Sequence, residues 1–211
     1  MWGALLVGLC LEAPPPRSPG QALVELTPVA PSLRFEIRYA TANNFLGRAV
    51  YTQARAFLQR PVAEDLLRAG RSLPARGYGL LLFDAYRPWS VTRLFFELLP
   101  PEKRRFVAPP SRGSNHNRGC AVDLTLYDLG RDREAEMPSA YDEMTERAAP
   151  RYAGGSPEQR TRRDLLRAAM EAQGFTVDRG EWWHFDHKSC RGLALLDLPF
   201  EDLPGPSAVS Q

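Results

Sequence analysis

The sequence contains little cysteine and no strong excess of charge. Its three cysteines, Cys10, Cys120 and Cys190, are an odd number without a CxxC spacing, which predicts neither a disulfide framework nor a thiolate zinc knuckle. For Cys120, which lies between small residues, we expect a buried free thiol. The formal net charge of +2 argues against nucleic acid as a partner. No Gly-rich phosphate loop is present, which excludes binding of NTP or dinucleotides through such a loop.

The N-terminus lacks an apolar run long enough to span a bilayer. The run from Trp2 to Leu11 matches the core of a signal peptide, although no Lys or Arg precedes it. We therefore expect no stable membrane insertion and interpret residues 1–21 as a hydrophobic, Pro-rich extension that acts as a leader or a linker. If it is a leader, the protein is exported or periplasmic; otherwise the protein is cytoplasmic.

The chain has the size and composition of one soluble domain. Its 211 residues, 44% of them hydrophobic and 25% charged, are enough for one complete core and too few for two. We expect a catalytic domain over residues 22–200 and a flexible tail over residues 201–211, in which prolines occur without periodicity. The sequence does not indicate a particular oligomeric state.

Hydrophobic periodicity predicts an α+β fold. Period-2 alternation or short apolar runs predict strands at residues 32–40, 78–86, 120–128 and 181–187. Period-3.6 patterns with Pro and Gly stops predict helices within residues 62–77, 87–100 and 157–175, and "YDEMTERAA" is expected to form a short helix. This order indicates a central antiparallel sheet with helices packed on one side.

Histidine is scarce, and its positions are clustered. His116 lies in the polar segment "SRGSNHNRG" before a predicted strand, Asp123 lies on the polar face of that strand, and His184 lies in the last predicted strand. A single His or Asp at such positions is more often solvated or a turn cap. If the two strands are neighbours, however, two imidazoles and one carboxylate converge. This set leaves a fourth tetrahedral position for water, as in a catalytic zinc site at the sheet.

Two further residues are candidates for catalysis. Glu181 precedes His184 by three positions, so its carboxylate reaches a metal-bound water as general base only if a turn or bulge intervenes, for which Gly180 is suited. Its alternative role is a charge at a strand edge. Arg87 in "DAYRP" is suited to stabilise an oxyanion, and its alternative role is to order the turn by pairing with Asp84.

Several motifs together resemble a known family. The segments "RYATANNFLG", "GYGLLLFDAYRP", "SNHNRGCAVDLTLY", "MPSAYDEMTERA" and "EWWHF" occur in the order found in the D-alanyl-D-alanine dipeptidase family of zinc peptidases, the group containing the vancomycin-resistance dipeptidase. The SxHxxGxAxD and ExxH motifs are shared with the wider superfamily of D-Ala-D-Ala metallopeptidases. The segment over residues 102–113 is shorter than in that enzyme, a departure that bears on substrate range if the segment shapes the pocket mouth.

The resemblance implies a role for eight residues. One zinc ion per chain would be held by His116, Asp123 and His184, with Glu181 as catalytic base and Arg87 stabilising the tetrahedral intermediate. For the substrate, the resemblance implies that the C-terminal carboxylate binds Ser114 and that the free ammonium group binds Tyr39 and Asp142.

Three functions remain open at this point. The first is hydrolysis of the small dipeptide D-Ala-D-Ala by metal-activated water, which would deplete the dipeptide in the cytoplasm or salvage D-alanine outside it. The second is a D,D- or L,D-carboxypeptidase or endopeptidase acting on peptidoglycan peptides. The third is a metal-binding or wall-binding module without catalysis, which the presence of Glu181 and Arg87 disfavours.

Overall fold

The architecture is a mixed sheet with helices, seen in a computed structural model that describes residues 22–29 and 31–205. The predicted extension over residues 1–21 and the last part of the predicted tail, residues 206–211, lie outside the described residues. Within the described part, no helix has both the length and the apolar character that crossing a membrane requires. The α+β class predicted from periodicity is confirmed.

The main sheet contains six strands of the described chain. Their order is β2-β4-β5-β8-β7, and β6 pairs with β5. The strand bounds are β2 Leu33–Phe35, β4 Tyr78–Asp84, β5 Ala121–Asp128, β6 Arg133–Glu134, β7 Phe175–Val177 and β8 His184–His187. A separate antiparallel pair is formed by β1 Leu23–Glu25 and β3 Phe57–Gln59.

The sheet is mixed, which corrects the prediction of an antiparallel sheet. β2 pairs with β4 in parallel, whereas the other pairings in the sheet are antiparallel. Parallel neighbours require a long crossover connection, and the chain between β2 and β4 supplies one through β3 and helix α1 (Arg60–Arg71). The alternation of apolar and polar residues in β2 does not show whether the strand pairs with its neighbour in parallel or antiparallel orientation.

The remaining helices are α2 (Trp89–Leu98) and α3 (Pro157–Glu171). α3 begins with a capping box: Ser156 Oγ accepts from Gln159 N, and the Gln159 side chain accepts from Ser156 N. α1 and α3 contact each other and strands of the main sheet. α2 instead borders the cavity described below, through Phe95 and Phe96.

The two faces of the central strands differ in character. Val122, Leu124 and Leu126 of β5 are buried in the main hydrophobic core, together with residues of α1 and α3. Burying one such leucine or valine stabilises the fold by about 1.5–3 kcal/mol. Asp123 and Thr125 are on the opposite face, as the alternation of β5 predicts. The sheet therefore buries its apolar face and directs the Asp123 side chain away from the main core.

A register shift in β4 is a feature that periodicity did not predict. Leu82 pairs with Leu124, but Asp84 rather than Phe83 pairs with Asp123, so β4 contains one extra residue at its end. Bulges of this kind re-aim side chains next to functional sites. Here the bulge brings the carboxylate of Asp84 close to the carboxylate of Asp123, so that Arg87 contacts both.

Several elements are shorter than predicted. The strand expected over residues 32–40 ends at Phe35, and Tyr39 lies in a 3-10 turn, Arg38–Ala40. The last strand begins at His184 rather than at residue 181, and "YDEMTERAA" forms only a 3-10 turn, Glu146–Ala148. These segments satisfy their backbone groups in turns, as in the bond from Thr41 N to Arg38 O, which apolar alternation does not reveal.

Two further findings concern Cys120 and the start of the tail. Cys120 is buried and disulfide-bonded, so the expectation of a free thiol was wrong. Sequence spacing does not show which cysteines lie close together in the fold. At the start of the predicted tail, Leu203 is buried and Pro204 O accepts a hydrogen bond from Arg55, so this part of the tail packs on the domain.

Candidate metal centre and active site

Three predicted ligands meet at the edge where β5 and β8 pair. Asp123 lies directly opposite His184 in the antiparallel ladder, and His116 lies in the 3-10 turn that precedes β5. Asp123 Oδ1 is 2.9 Å from His184 Nδ1 and 3.2 Å from His116 Nε2. The two ring nitrogens are 3.1 Å apart. Each residue therefore presents one potential ligand atom to a common point.

The donor set fits a tetrahedral zinc ion. Zinc binds His nitrogen and carboxylate oxygen at about 2.0–2.1 Å, so neighbouring ligand atoms of a tetrahedron are about 3.3 Å apart. The observed separations of 2.9 to 3.2 Å are close to that value. With three protein ligands, one coordination position is left for water or substrate, which is the pattern of catalytic zinc sites.

Outer contacts set the orientation of both imidazoles. His116 Nδ1 donates to the Ala85 carbonyl at 2.6 Å, which leaves Nε2 free to bind a metal. In His184 the roles of the nitrogens are reversed: Nε2 lies 3.0 Å from Asp186 Oδ1, and Nδ1 faces the centre. Such contacts fix the tautomer and increase the basicity of a ligand.

Asp123 is oriented by a tyrosine. Tyr141 donates its hydroxyl to Asp123 Oδ2 at 3.0 Å, so Oδ1 is left to face the two imidazoles. Burial alone would raise the pKa of Asp123, but the charge of His116 and hydrogen bonds from both histidines lower it well below its usual range. The carboxylate is therefore ionised, as a metal ligand must be.

The turn between His116 and Asp123 depends on glycine. Gly119 has φ 67°, a left-handed conformation that favours glycine, and it ends the turn that carries His116. A Cβ at this position would lie 2.3 Å from Leu23 Cδ2 and 3.3 Å from the Gln59 backbone nitrogen. The glycine thus allows the chain to pass from the histidine turn directly into β5.

Arg87 forms the ion pair with Asp84 that the sequence suggested, and it also lies beside Asp123. Its Nε and Nη2 atoms donate to Asp84 Oδ2 at 3.0 and 2.7 Å, and Nη2 is 3.6 Å from Asp123 Oδ2. Asp84 Oδ1 accepts from the Tyr51 hydroxyl and from Ala85 N. The ion pair with Asp84 is therefore present, and it holds the buried guanidinium beside the candidate metal ligands.

Glu181 reaches the cavity because a turn precedes β8. His184 N bonds to Glu181 O at 3.4 Å across a turn through the two tryptophans, so the turn follows Glu181 rather than lying at Gly180. Burial raises the pKa of Glu181 to about 8; the charge of His184 lowers this pKa, and the charge of Asp123 raises it. The carboxyl thus combines proximity to the candidate ligands with a pKa near neutrality.

The three predicted substrate-binding residues lie in two places. Tyr39 donates its hydroxyl to both carboxylate oxygens of Asp142 at 3.1 Å, and Asp142 has a left-handed φ of 58° that is uncommon outside glycine. Ser114 Oγ accepts from His116 N at 3.2 Å, which leaves the hydroxyl proton of Ser114 available to another acceptor.

All eight predicted residues line one cavity of about 830 Å³. The cavity is also lined by much of the segment over residues 104–113, so this segment forms part of its wall. The predicted residues are Tyr39, Arg87, Ser114, His116, Asp123, Asp142, Glu181 and His184.

Comparison with known proteins decides the family. The family model described as D-ala-D-ala dipeptidase, of the M15 peptidases, matches residues 20–202. The chain belongs to this family. It is 34% identical to the D-alanyl-D-alanine dipeptidase of Escherichia coli over 190 residues, which cover 89% of this chain and 97% of that protein. It is 36% identical to the enzyme of the same name from Enterococcus faecalis, over 84% of this chain and 93% of the other.

Membership in the dipeptidase family makes this chain a peptidase, and two more dipeptidases show the same level of similarity. These relatives are a D-alanyl-D-alanine dipeptidase of Enterococcus faecium, 33% identical over 76% of this chain and 88% of that protein, and one of Streptomyces coelicolor, 33% identical over 74% and 86%. The family recognised from sequence motifs is therefore confirmed.

Sequence reasoning missed two residues of the candidate site. Asp186 had a detectable signal, because residues two apart on a strand share a face and Asp186 follows His184 by two positions. Tyr141 had none, since it reaches Asp123 from a loop 18 residues further along the chain. A contact of this kind depends on the path of the loop and not on a local pattern.

Proposed function

We propose that this chain hydrolyses the dipeptide D-Ala-D-Ala with one zinc ion bound by His116, Asp123 and His184. The observation that carries the proposal is the convergence of three ligand atoms within 2.9 to 3.2 Å, in the cavity that Glu181 also lines. The family of the chain supports the same reaction, because the relatives are named for it.

Zinc, when bound, supplies a Lewis acid that polarises a carbonyl and lowers the pKa of water. Glu181 acts as the general base: it accepts a proton from the attacking water and delivers it to the leaving amine. A base that both accepts and returns a proton works best with a pKa near the working pH. The pKa of about 8 that burial gives Glu181 suits this double role.

Arg87 stabilises the negative charge that develops on the carbonyl oxygen. Its guanidinium is held by Asp84 at 2.7 Å, so it is oriented before the substrate arrives. Preorganisation of this kind avoids reorganisation of the charge during the reaction.

The two ends of the substrate are bound by separate groups of the protein. The Ser114 hydroxyl donates to the C-terminal carboxylate, and Asp142, held by Tyr39, pairs with the free ammonium group. Because Ser114 and Asp142 are a fixed distance apart, only a peptide of dipeptide length can bind both groups with its two charged ends. A longer peptide leaves one of these buried groups without its partner, which disfavours its binding.

The proposal is tested by substrate comparison with zinc-loaded protein. D-alanine release is measured from D-Ala-D-Ala and from a muramyl pentapeptide that ends in D-Ala-D-Ala. We expect kcat/KM for the dipeptide to exceed that for the pentapeptide by at least about 100-fold. Preference for the pentapeptide would support the carboxypeptidase alternative. Zinc binding without hydrolysis of either substrate would support the binding-module alternative.

A further inference from the structure

The cavity has a rim of arginines that the proposed mechanism does not use. Within the part of the chain that the structure describes, none of them forms an ion pair, although eleven other arginines do. The acidic residues that line the cavity are Asp123 on β5, Asp186 on β8, Asp178 and Glu181 in the segment before β8, and Asp142 in the segment after β6. We call this set the arginine rim; it consists of Arg104, Arg105, Arg112, Arg118 and Arg191.

Arg118 is the best-ordered member of the arginine rim. Its Nη1 atom donates to the Ser114 carbonyl at 2.9 Å, its Nε atom to the Leu193 carbonyl at 2.9 Å and its Nη2 atom to the Arg112 carbonyl at 3.5 Å. A guanidinium has five N–H groups, so two donors remain beyond these three bonds. Arg118 is therefore fixed next to Ser114 with hydrogen-bonding capacity left over.

The charge of Arg118 is incompletely balanced by its surroundings. The three acceptors that Arg118 contacts are backbone carbonyls, so no carboxylate of the described residues is paired with its guanidinium. Asp186, the acidic residue on β8 in the same cavity, already accepts a hydrogen bond from His184. Arg112, whose carbonyl Arg118 contacts, is exposed and carries a charge of the same sign. An anion at this place would interact favourably with both guanidinium groups.

We infer that Arg118, assisted by Arg112, binds the C-terminal carboxylate of the substrate beside Ser114 and makes the enzyme selective for substrates with a free carboxylate. The inference rests on the proposed function. Ser114 contributes one neutral donor, whereas a guanidinium forms charge-assisted hydrogen bonds that are about twice as strong. The charge of the substrate is thus recognised mainly by arginine, and the hydroxyl sets its position.

The test compares D-Ala-D-Ala with D-alanyl-D-alaninamide, which lacks the carboxylate charge. We expect Arg118→Gln to lower kcat/KM for the acid by about 10- to 100-fold, mainly through KM, and to change that for the amide by less than about twofold. Arg133→Gln is the matched control, because Arg133 lies on β6 outside the cavity, and it should leave both values unchanged. An equal loss for acid and amide, or no loss for either, overturns the inference.

A second variant tests the inference if Arg118→Gln does not fold. If circular dichroism shows that Arg118→Gln is unfolded, Arg112→Gln is used, since the Arg112 side chain is exposed. We expect a smaller loss, about threefold to tenfold, again confined to the acid. Equal kcat/KM ratios of acid to amide in Arg112→Gln and wild type would then reject the inference. Failure of the wild type to hydrolyse the acid rejects the proposed function instead.

Discussion

His184 Nε2 lies 3.0 Å from Asp186 Oδ1, and the same ring presents Nδ1 to Asp123 Oδ1 at 2.9 Å. The two residues are separated by one position on β8, so both side chains are on the same face of the strand. Asp186 thereby decides which nitrogen of His184 is available, and it increases the electron density that this nitrogen offers to a cation.

Replacement of Asp186 should weaken metal binding. For Asp186→Ala we expect the zinc affinity to fall by about 10- to 100-fold, because the His184 ring loses its orienting acceptor. Competition with a chromophoric chelator measures the affinity without relying on turnover. Asp164→Ala, which removes an exposed carboxylate on α3, is the control. Unchanged affinity in Asp186→Ala would show that the contact does not support the metal site.

Glu181→Gln should separate catalysis from metal binding. The amide cannot accept the proton of the attacking water, so we expect kcat to fall by about 100- to 10,000-fold. Because Glu181 is not one of the three ligands, the zinc content should remain that of the wild type. Steady-state kinetics and elemental analysis measure the two quantities. Near-normal turnover in this variant excludes Glu181 as the base.

Loss of Asp84 should destabilise the fold as well as the site. Arg87 is buried, and Asp84 is its nearest anion, so Asp84→Ala leaves a buried cation without its partner. We expect the free energy of unfolding to fall by about 3–5 kcal/mol, as measured by urea denaturation. Replacing both residues by apolar ones should restore part of this loss. A decrease below about 1 kcal/mol would mean that Asp123 substitutes fully for Asp84.

The affinity for substrate should decrease in acid. Burial and, after it, the charge of Asp123 raise the pKa of Asp142, whereas Arg87 and the hydrogen bond from Tyr39 lower it, and together they bring this pKa to about 7. Below this pH the carboxyl is protonated and cannot pair with an ammonium group. The fraction of protein molecules in which Asp142 is ionised, and so able to bind the ammonium group, falls from about one half at pH 7 to about one tenth at pH 6. KM should therefore rise about fivefold over this range.

This pH effect is checked by measuring KM at saturating zinc from pH 6 to pH 8. In Asp142→Asn the amide does not titrate, so its KM should be high and nearly independent of pH. A wild-type KM that stays constant across this range contradicts the assignment of Asp142 to the ammonium group.

Much of the site was predictable because it follows local patterns. Strict alternation in β5 separates Asp123 from Val122 and Leu124, and the polar segment around His116 leads directly into that strand. The amphipathic pattern of α3 was likewise confirmed, whereas the helix ends at Glu171, three residues before the predicted stop at Gly174. These features depend on neighbours in the chain, which periodicity and turn preferences report.

Other features depend on contacts between distant segments. The bulge that sets Asp84 opposite Asp123 arises from pairing between two strands, and the parallel orientation of β2 arises from the crossover through α1. Tyr39 was expected on a strand but lies in a turn whose geometry is fixed by packing. Local periodicity contains no information on these arrangements.

The central claim is that one zinc ion at His116, Asp123 and His184 supports hydrolysis of D-Ala-D-Ala. The most direct measurement titrates metal-free protein with zinc while D-alanine release from the dipeptide is recorded. We expect no activity without metal and a linear increase that ends at one zinc per chain. Full activity in the metal-free protein, or no hydrolysis at any zinc content, would contradict the account.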